Sequence, residues 1–240
     1  MAGALTGRNY LVVGGSSGIG AALCGQLIRE GASVICWGRQ ALEDTGISWH
    51  AWDATSGEEP PVASLPKSLH GLAYMPGSIP LRPFHRTGPE DFRQHFEINF
   101  IGAIKSIQAA LPSLREASAS GASVVLMSTV AARVGMPFHS AIASAKAALE
   151  GLTLSLASEY APLHLRFNSV APSLTRTPLA QGLLSTPEKE EASGKRHPLG
   201  RVGDAAEIAS VVRFLLSPES GWVTGQVWGV DGGMGHLKNL

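Results

Sequence analysis

The sequence has little cysteine: two residues in 240, Cys24 and Cys36. Each sits inside an apolar run, with no second pair and no metal-ligand spacing. That excludes a disulfide framework and leaves buried free thiols in a reducing compartment as the expectation. None of the eight histidines forms HxxxH or another ligand pattern, and no metal site is expected. An excess of one charge is missing too. The 19 Lys and Arg balance 19 Asp and Glu with no block of like sign, which argues against nucleic acid or an anionic membrane as the main partner. No apolar run approaches the ~20 residues a bilayer span needs. The opening MAGALTGRNY lacks the basic-then-apolar shape of a signal peptide, so a cytoplasmic protein is expected. Internal repeats, linkers and low-complexity tracts are absent.

What is present is alternation. Short β-branched runs (NYLVVGG, SVICWG, GLAYMPG, SVVLMST, LRFNSVAP, GQVWGVD) are separated by stretches of helical period, and a further strand is placed just ahead of Asp53. This is the pattern of βαβ units. The expectation is one α/β domain over residues 1–240. It is a doubly wound, Rossmann-like parallel sheet of about seven strands with helices on both faces. One helix opens at Gly18 and ends near Glu30, with Gly31 as its stop. A second starts with a capping box of Thr87 and Glu90 and carries Phe92, Phe96, Phe100, Ala103, Ile107 and Leu111 on one face. A third begins near Ser140, with Ile142, Ala145, Leu149, Leu152 and Leu156 at helical spacing. Prolines 60, 61 and 66 interrupt SGEEPPVASLPKSLH, where an irregular or one-turn crossover is expected.

Directly after the first strand comes GGSSGIG, Gly14 to Gly20, spaced G-x-x-x-G-x-G. Small residues let the backbone turn sharply against a pyrophosphate, and the helix that follows offers its N-terminal N–H groups and dipole. Gly14, Ser16, Ser17, Gly18, Ile19 and Gly20 are therefore candidate dinucleotide-binding residues. An NAD site usually places an acid at the end of the second strand to hold the ribose 2′-hydroxyl. Here Gly38 is followed by Arg39, whose planar fork suits a 2′-phosphate, with the Ser17 hydroxyl as a possible aid. NADP(H) is thus expected over NAD(H). Asp53 stands where an adenine amino group is read, or is simply a turn aspartate.

GGSSGIG, EINFIGA around Asn99, VVLMST, LRFNSVAPSLTRTPL, HPLGRVGDAAEIASVVRFLLS and VTGQVWGVDGG together span almost the whole chain. They resemble the short-chain dehydrogenase/reductase family, most of all its β-ketoacyl-ACP-reductase-like branch. The resemblance implies that Asp53 and Ala54 meet the adenine, that Gly77 ends the family's Asn-Asn-Ala-Gly strand, and that Pro172 to Thr177 close over the nicotinamide. Thr175 and Thr177 would touch its carboxamide or the phosphates. Asn99 would kink its helix and hold a relay water, and Lys146 would bind the nicotinamide ribose. It also implies a substrate lid from Leu179 to Pro198 and a homo-oligomer, a dimer or tetramer. Pairing would run through the helices starting near Pro89 and Ser140 and through the last strand and helix.

Three departures stand out. Asn-Asn-Ala-Gly reads Tyr74, Met75, Pro76, Gly77; the family's Pro-Gly is Pro172-Ser173; and the catalytic Tyr, one turn before Lys146, is Ile142. The catalytic Ser falls on Thr129, which keeps a hydroxyl. The missing acid leaves His139, Lys146, or a water held by Asn99 and Lys146 as proton donors. His139 is expected to border the substrate from the loop GMPFHS. Tyr74 and Ser128 are weaker stand-ins. Two readings follow: an NADP(H)-dependent oxidoreductase of a small carbonyl or alcohol with Thr129, Lys146, Asn99 and His139 in its site, or a dinucleotide-binding protein without activity, a sensor or silent subunit.

Overall fold

The β-branched runs form strands β1 (Asn9–Val13), β2 (Ser33–Gly38), β3 (Ile47–Ala51), β4 (Gly71–Tyr74), β5 (Ala122–Met127) and β6 (Leu165–Pro172) in a computed structural model that describes residues 3–41 and 46–238. Two-residue strands β7 (Thr175–Arg176) and β8 (Gly203–Asp204) pair with each other, and β9 (Val227–Val230) closes the series. The main sheet has seven strands in the order β3-β2-β1-β4-β5-β6-β9, all parallel. Both of its faces are covered, so β5 and β6 are buried at every position. The edge strand β3 is only partly buried along its length.

Helices α1 (Gly18–Arg29) and α6 (Ala205–Leu216) pack on one face. Helices α2 (Pro89–Phe96), α3 (Gly102–Ala117) and α4 (Ser140–Tyr160) cover the other, and α5 (Pro187–Gly194) lies between β7 and β8 in the chain. Two apolar layers result. One is centred on Leu11, Trp37, Leu126 and Phe167, the other on Tyr10, Val12, Leu23 and Val212. Each fully buried side chain of this kind contributes roughly 1.5–3 kcal/mol. The buried Arg166 of β6 donates to the carbonyls of Leu215 and Ser217, satisfying the last turn of α6.

Several local expectations meet the structure closely. Gly31 takes φ +84°; its N–H bonds the Ile28 carbonyl while the Ala32 N–H bonds Leu27, a Schellman stop for α1. The proline-rich crossover holds a single short turn, Val62–Ser64. Cys24 and Cys36 are buried free thiols. Others are corrected. The α2 cap is not the Thr87–Glu90 pair: Gly88 is the N-cap, its N–H donating to the Asp91 carboxylate at 2.9 Å, while the Thr87 hydroxyl donates to the Pro83 carbonyl. The single stripe from Phe92 to Leu111 is also broken. A π-turn, Glu97–Ile101, inserts one residue between α2 and α3 and rotates the buried face. His95, Asn99, Ala103, Ile107 and Leu114 point inward, and Phe92, Phe96 and Phe100 are left half-buried. No helix among the described residues is long and apolar enough to cross a membrane.

Candidate active site

The strand order reverses between β1 and β4, and a cleft of about 420 Å³ opens there at the carboxyl ends of the strands. Its floor at one end is the turn from Gly14 to Gly20. Gly18 sits at φ +53°, where a side chain is strained, and a Cβ there would lie 3.2 Å from Thr177. At Gly20 a Cβ would overlap the Gly14 carbonyl oxygen. Ser17 is the N-cap of α1, yet its hydroxyl makes no capping bond, and the first turn carries no acid. The positive end of α1 and a free serine hydroxyl thus face the cleft. Exposed Arg39 directly follows the last residue of β2 and lines the cleft. The Asp53 carboxyl lies below its usual range, chiefly because it accepts the Thr55 N–H and also because Arg39 stands near. Asp53 is therefore a turn aspartate that nonetheless lines the cleft beside Ala54. This donor set, with glycine backbone, helix N-terminus and one guanidinium, fits a dinucleotide pyrophosphate and an added phosphate.

At the other end stand Thr129, Ile142 and Lys146. The Lys146 side chain is 3% exposed, and its amine donates to the Pro76 carbonyl at 3.3 Å. Burial drives its pKa down to about 7. Ile142, one turn earlier, is buried and presents only hydrocarbon. The Thr129 oxygen accepts the Ala131 N–H at 3.3 Å, which leaves its own proton for the cleft. Ser128 is turned to Glu150, donating at 2.7 Å, as the alternation of a strand requires.

Asn99 is fully buried in the π-turn. Its amide donates to the His95 carbonyl at 2.8 Å and to the Ser78 hydroxyl at 3.2 Å, while its Oδ1 has no partner. That oxygen and the Lys146 amine lie 3.8 and 4.0 Å from one point, where a Cβ on Gly77 would sit. Pro172, Thr175 and Thr177 line the cleft opposite. Ser16, Ser17 and Ile19 line it as well; Asn99 lies just behind the wall. His139 is the exception: it is the half-buried N-cap residue of α4, its Nδ1 donates to the Pro137 carbonyl, and it lies outside the cleft wall.

Residues 62–235 match the family model described as Enoyl-(Acyl carrier protein) reductase. A tropinone reductase homolog of Arabidopsis thaliana is 35% identical over 96% of this chain and 94% of its own length. The chain belongs to the short-chain dehydrogenase/reductase family. Among solved structures, ligand-free aldohexose dehydrogenase of Thermoplasma acidophilum superposes with a TM-score of 0.89 at 29% identity, covering 98% of this chain and 97% of that one. A phenylalanine-for-tyrosine variant of ElxO with NADPH bound superposes at 0.85 with 25% identity, covering 95% and 98%.

For a short-chain dehydrogenase/reductase, whose fold binds a nicotinamide dinucleotide, the altered strand end is the notable feature. Tyr74 does not reach the cleft. Its ring is fully buried, and its hydroxyl donates to the Ile98 carbonyl that the π-turn leaves open. Gly102 makes room for it, since a Cβ there would collide with the Tyr74 hydroxyl. Burial pushes that phenol far above its ordinary range, so Tyr74 is no proton donor to the cleft. Sequence reasoning passed over two further polar pairs of this short-chain dehydrogenase/reductase. Ser78 contacts buried His95 at 2.9 Å, and Ser173 contacts buried His197 at 2.8 Å. The available signal was His95 one helical turn ahead of Asn99.

Proposed function

We propose that this chain transfers hydride between NADP(H) and a small carbonyl or alcohol, with Lys146 serving where the family uses tyrosine. The observation that carries the reading is the Lys146 amine, enclosed at the cleft wall with a pKa of about 7. Such a group is costly to bury and is poised between its two protonation states at neutral pH, as a general acid should be. The bound dinucleotide supplies the hydride. Arg39 holds the 2′-phosphate, the turn from Gly14 to Gly20 the pyrophosphate, Asp53 and Ala54 the adenine side, and Gly77, Pro172, Thr175 and Thr177 the nicotinamide side. Thr129 donates its free proton to the substrate oxygen and so steadies the charge that develops there. Asn99 orients the Lys146 end. His139, outside the cleft wall, is left out of the proton path. In ElxO, replacing one tyrosine by phenylalanine leaves NADPH bound, which supports cofactor retention without that hydroxyl.

The half-buried Phe92, Phe96 and Phe100 on the α2–α3 face support assembly into a dimer or tetramer, and the two buried free thiols support a reducing, cytoplasmic setting. Ile142 favours a second reading, a dinucleotide sensor or silent subunit. Calorimetric titration with NADPH and NADH, followed by a carbonyl panel, separates the two. Tight NADPH binding with turnover that falls ~10²–10⁴-fold in both Lys146→Met and Thr129→Ala is expected. Turnover surviving both changes would sink the catalytic assignment; NADPH binding with no turnover of any carbonyl would favour the sensor.

A further inference from the structure

His95 is an unusual residue to bury on the inner face of α2. It is 3% exposed, and its Nδ1 bonds a hydroxyl rather than a carboxylate, meeting Ser78 at 2.9 Å. Ser78 directly follows Gly77 and lines the cleft. The same hydroxyl accepts the Asn99 amide, and the unpartnered Asn99 Oδ1 addresses the point that the Lys146 amine also addresses. On its outer side, His95 lines a surface recess of about 10 Å³ with Arg82, Asp91, Phe138 and Ser140, close to the room that one water needs. Phe138 rims it at φ +69°, a left-handed conformation that a non-glycine residue holds only at a cost of ~1–3 kcal/mol. Cleft and surface are therefore joined through one serine and one imidazole.

We propose that Ser78 and His95 form a proton relay that recharges Lys146 from the recess beside Asp91. The proposal rests on the oxidoreductase reading above. For each carbonyl reduced, the Lys146 ammonium gives one proton to the substrate oxygen, while the hydride pair stays on the carbon. Protonated His95 passes its Nδ1 proton to the Ser78 oxygen as the Ser78 hydroxyl proton moves on, through water in the cleft that Ser78 and Lys146 both line, to the Lys146 amine. Solvent in the recess then reprotonates the imidazole. One proton crosses per turnover, and no electrons travel the chain. Asn99 positions the pair by holding the serine oxygen from one side. The charged groups facing His95 are Asp91 on its own helix, Arg82 paired with that aspartate at 3.1 Å, and Lys146 from α4. Burial and the lysine hold the imidazole below its ordinary pKa, and the aspartate opposes them.

The test is a histidine-selective NMR titration of the full chain, with His95 assigned by its loss in His95→Gln. It is paired with the pH profile of NADPH oxidation by an aromatic 1,2-diketone. Removing a like charge in Lys146→Met should raise the His95 midpoint by about half a unit or more, and Ser78→Ala should also move it. The kcat limb at that midpoint should vanish in Ser78→Ala with KM little changed, and should return in Ser78→Thr, which keeps the hydroxyl. A His95 midpoint equal in wild type, Ser78→Ala and Lys146→Met overturns the relay, as does a limb that persists in Ser78→Ala. Failure of NADPH to bind instead ends the oxidoreductase reading, and the NMR arm reports independently of it.

Discussion

From Gly14 to Gly20 the cleft is made of backbone, whereas around Lys146 it is made of side chains. The glycine turn satisfies itself locally: Gly14 bonds the Trp37 carbonyl, Gly20 rests against the Gly14 carbonyl, and the Ser17 hydroxyl is left over for a ligand. At the far end, Ser78 bonds His95 and Asn99 from another segment, Lys146 reaches the Pro76 carbonyl from α4, and a buried oxygen is left without a partner. The first region constrains residue size; the second constrains charge and hydrogen bonding. This explains why the chain tolerates isoleucine at position 142. Hydrocarbon of adequate volume keeps the helix packed there, and fold alone certifies no activity.

The sharpest way to break the comparison is to remove the charge from the side-chain region. Lys146 has a folded pKa of about 7, below the unfolded ~10.4. Below pH 7 both states hold the proton and the folded protein carries the whole cost of a buried ammonium. Between pH 7 and about 10 the unfolded chain keeps a proton that the folded one has shed, so stability rises with pH. Lys146→Met should therefore be more stable than wild type by up to about 4 kcal/mol below pH 7, the gap closing by about pH 10. Urea titrations of both proteins across that range check it; a gap independent of pH would mean that the amine is hydrated. The matching experiment in the backbone region is Gly20→Ala. Its methyl meets a backbone oxygen that cannot yield without moving the whole turn. A loss of about 3 kcal/mol, independent of pH, is expected together with weakened NADPH binding.

The two regions also differ in how far the sequence discloses them. The glycine turn, the stop at Gly31 and the alternating strands depend on neighbours within a few residues, and each is where spacing puts it. The α2 cap shifted by one residue because Asp91 competes with Glu90 for the same role. The face from Phe92 to Leu111 failed because periodicity presumes a continuous helix, and Tyr74, 24 residues upstream, props open the π-turn that breaks it. Ser78 and His95 are 17 residues apart and become neighbours only when the chain beyond β4 meets α2. Long-range pairs of this kind leave no local pattern. The same is true of His139, which sequence order brings near the cleft and the α4 cap geometry turns aside.

The smallest expected effect concerns Arg39, the side chain proposed to hold the 2′-phosphate. It is exposed at the end of β2, beside the cleft and near the Asp53 carboxylate. A solvated guanidinium pairing with a 2′-phosphate contributes about 1.5–3 kcal/mol at most in a favourable setting, less when salt screens it. Arg39→Ala should therefore weaken NADPH binding by roughly tenfold, about 1.4 kcal/mol, and leave NADH nearly unchanged. Calorimetry at two salt concentrations distinguishes the cases, because a charge-based preference shrinks as ionic strength rises. If NADPH and NADH weaken equally, Arg39 supports the turn as a whole. If neither changes, selection between the two dinucleotides passes to the Ser17 hydroxyl, and the backbone end of the cleft chooses its ligand unaided.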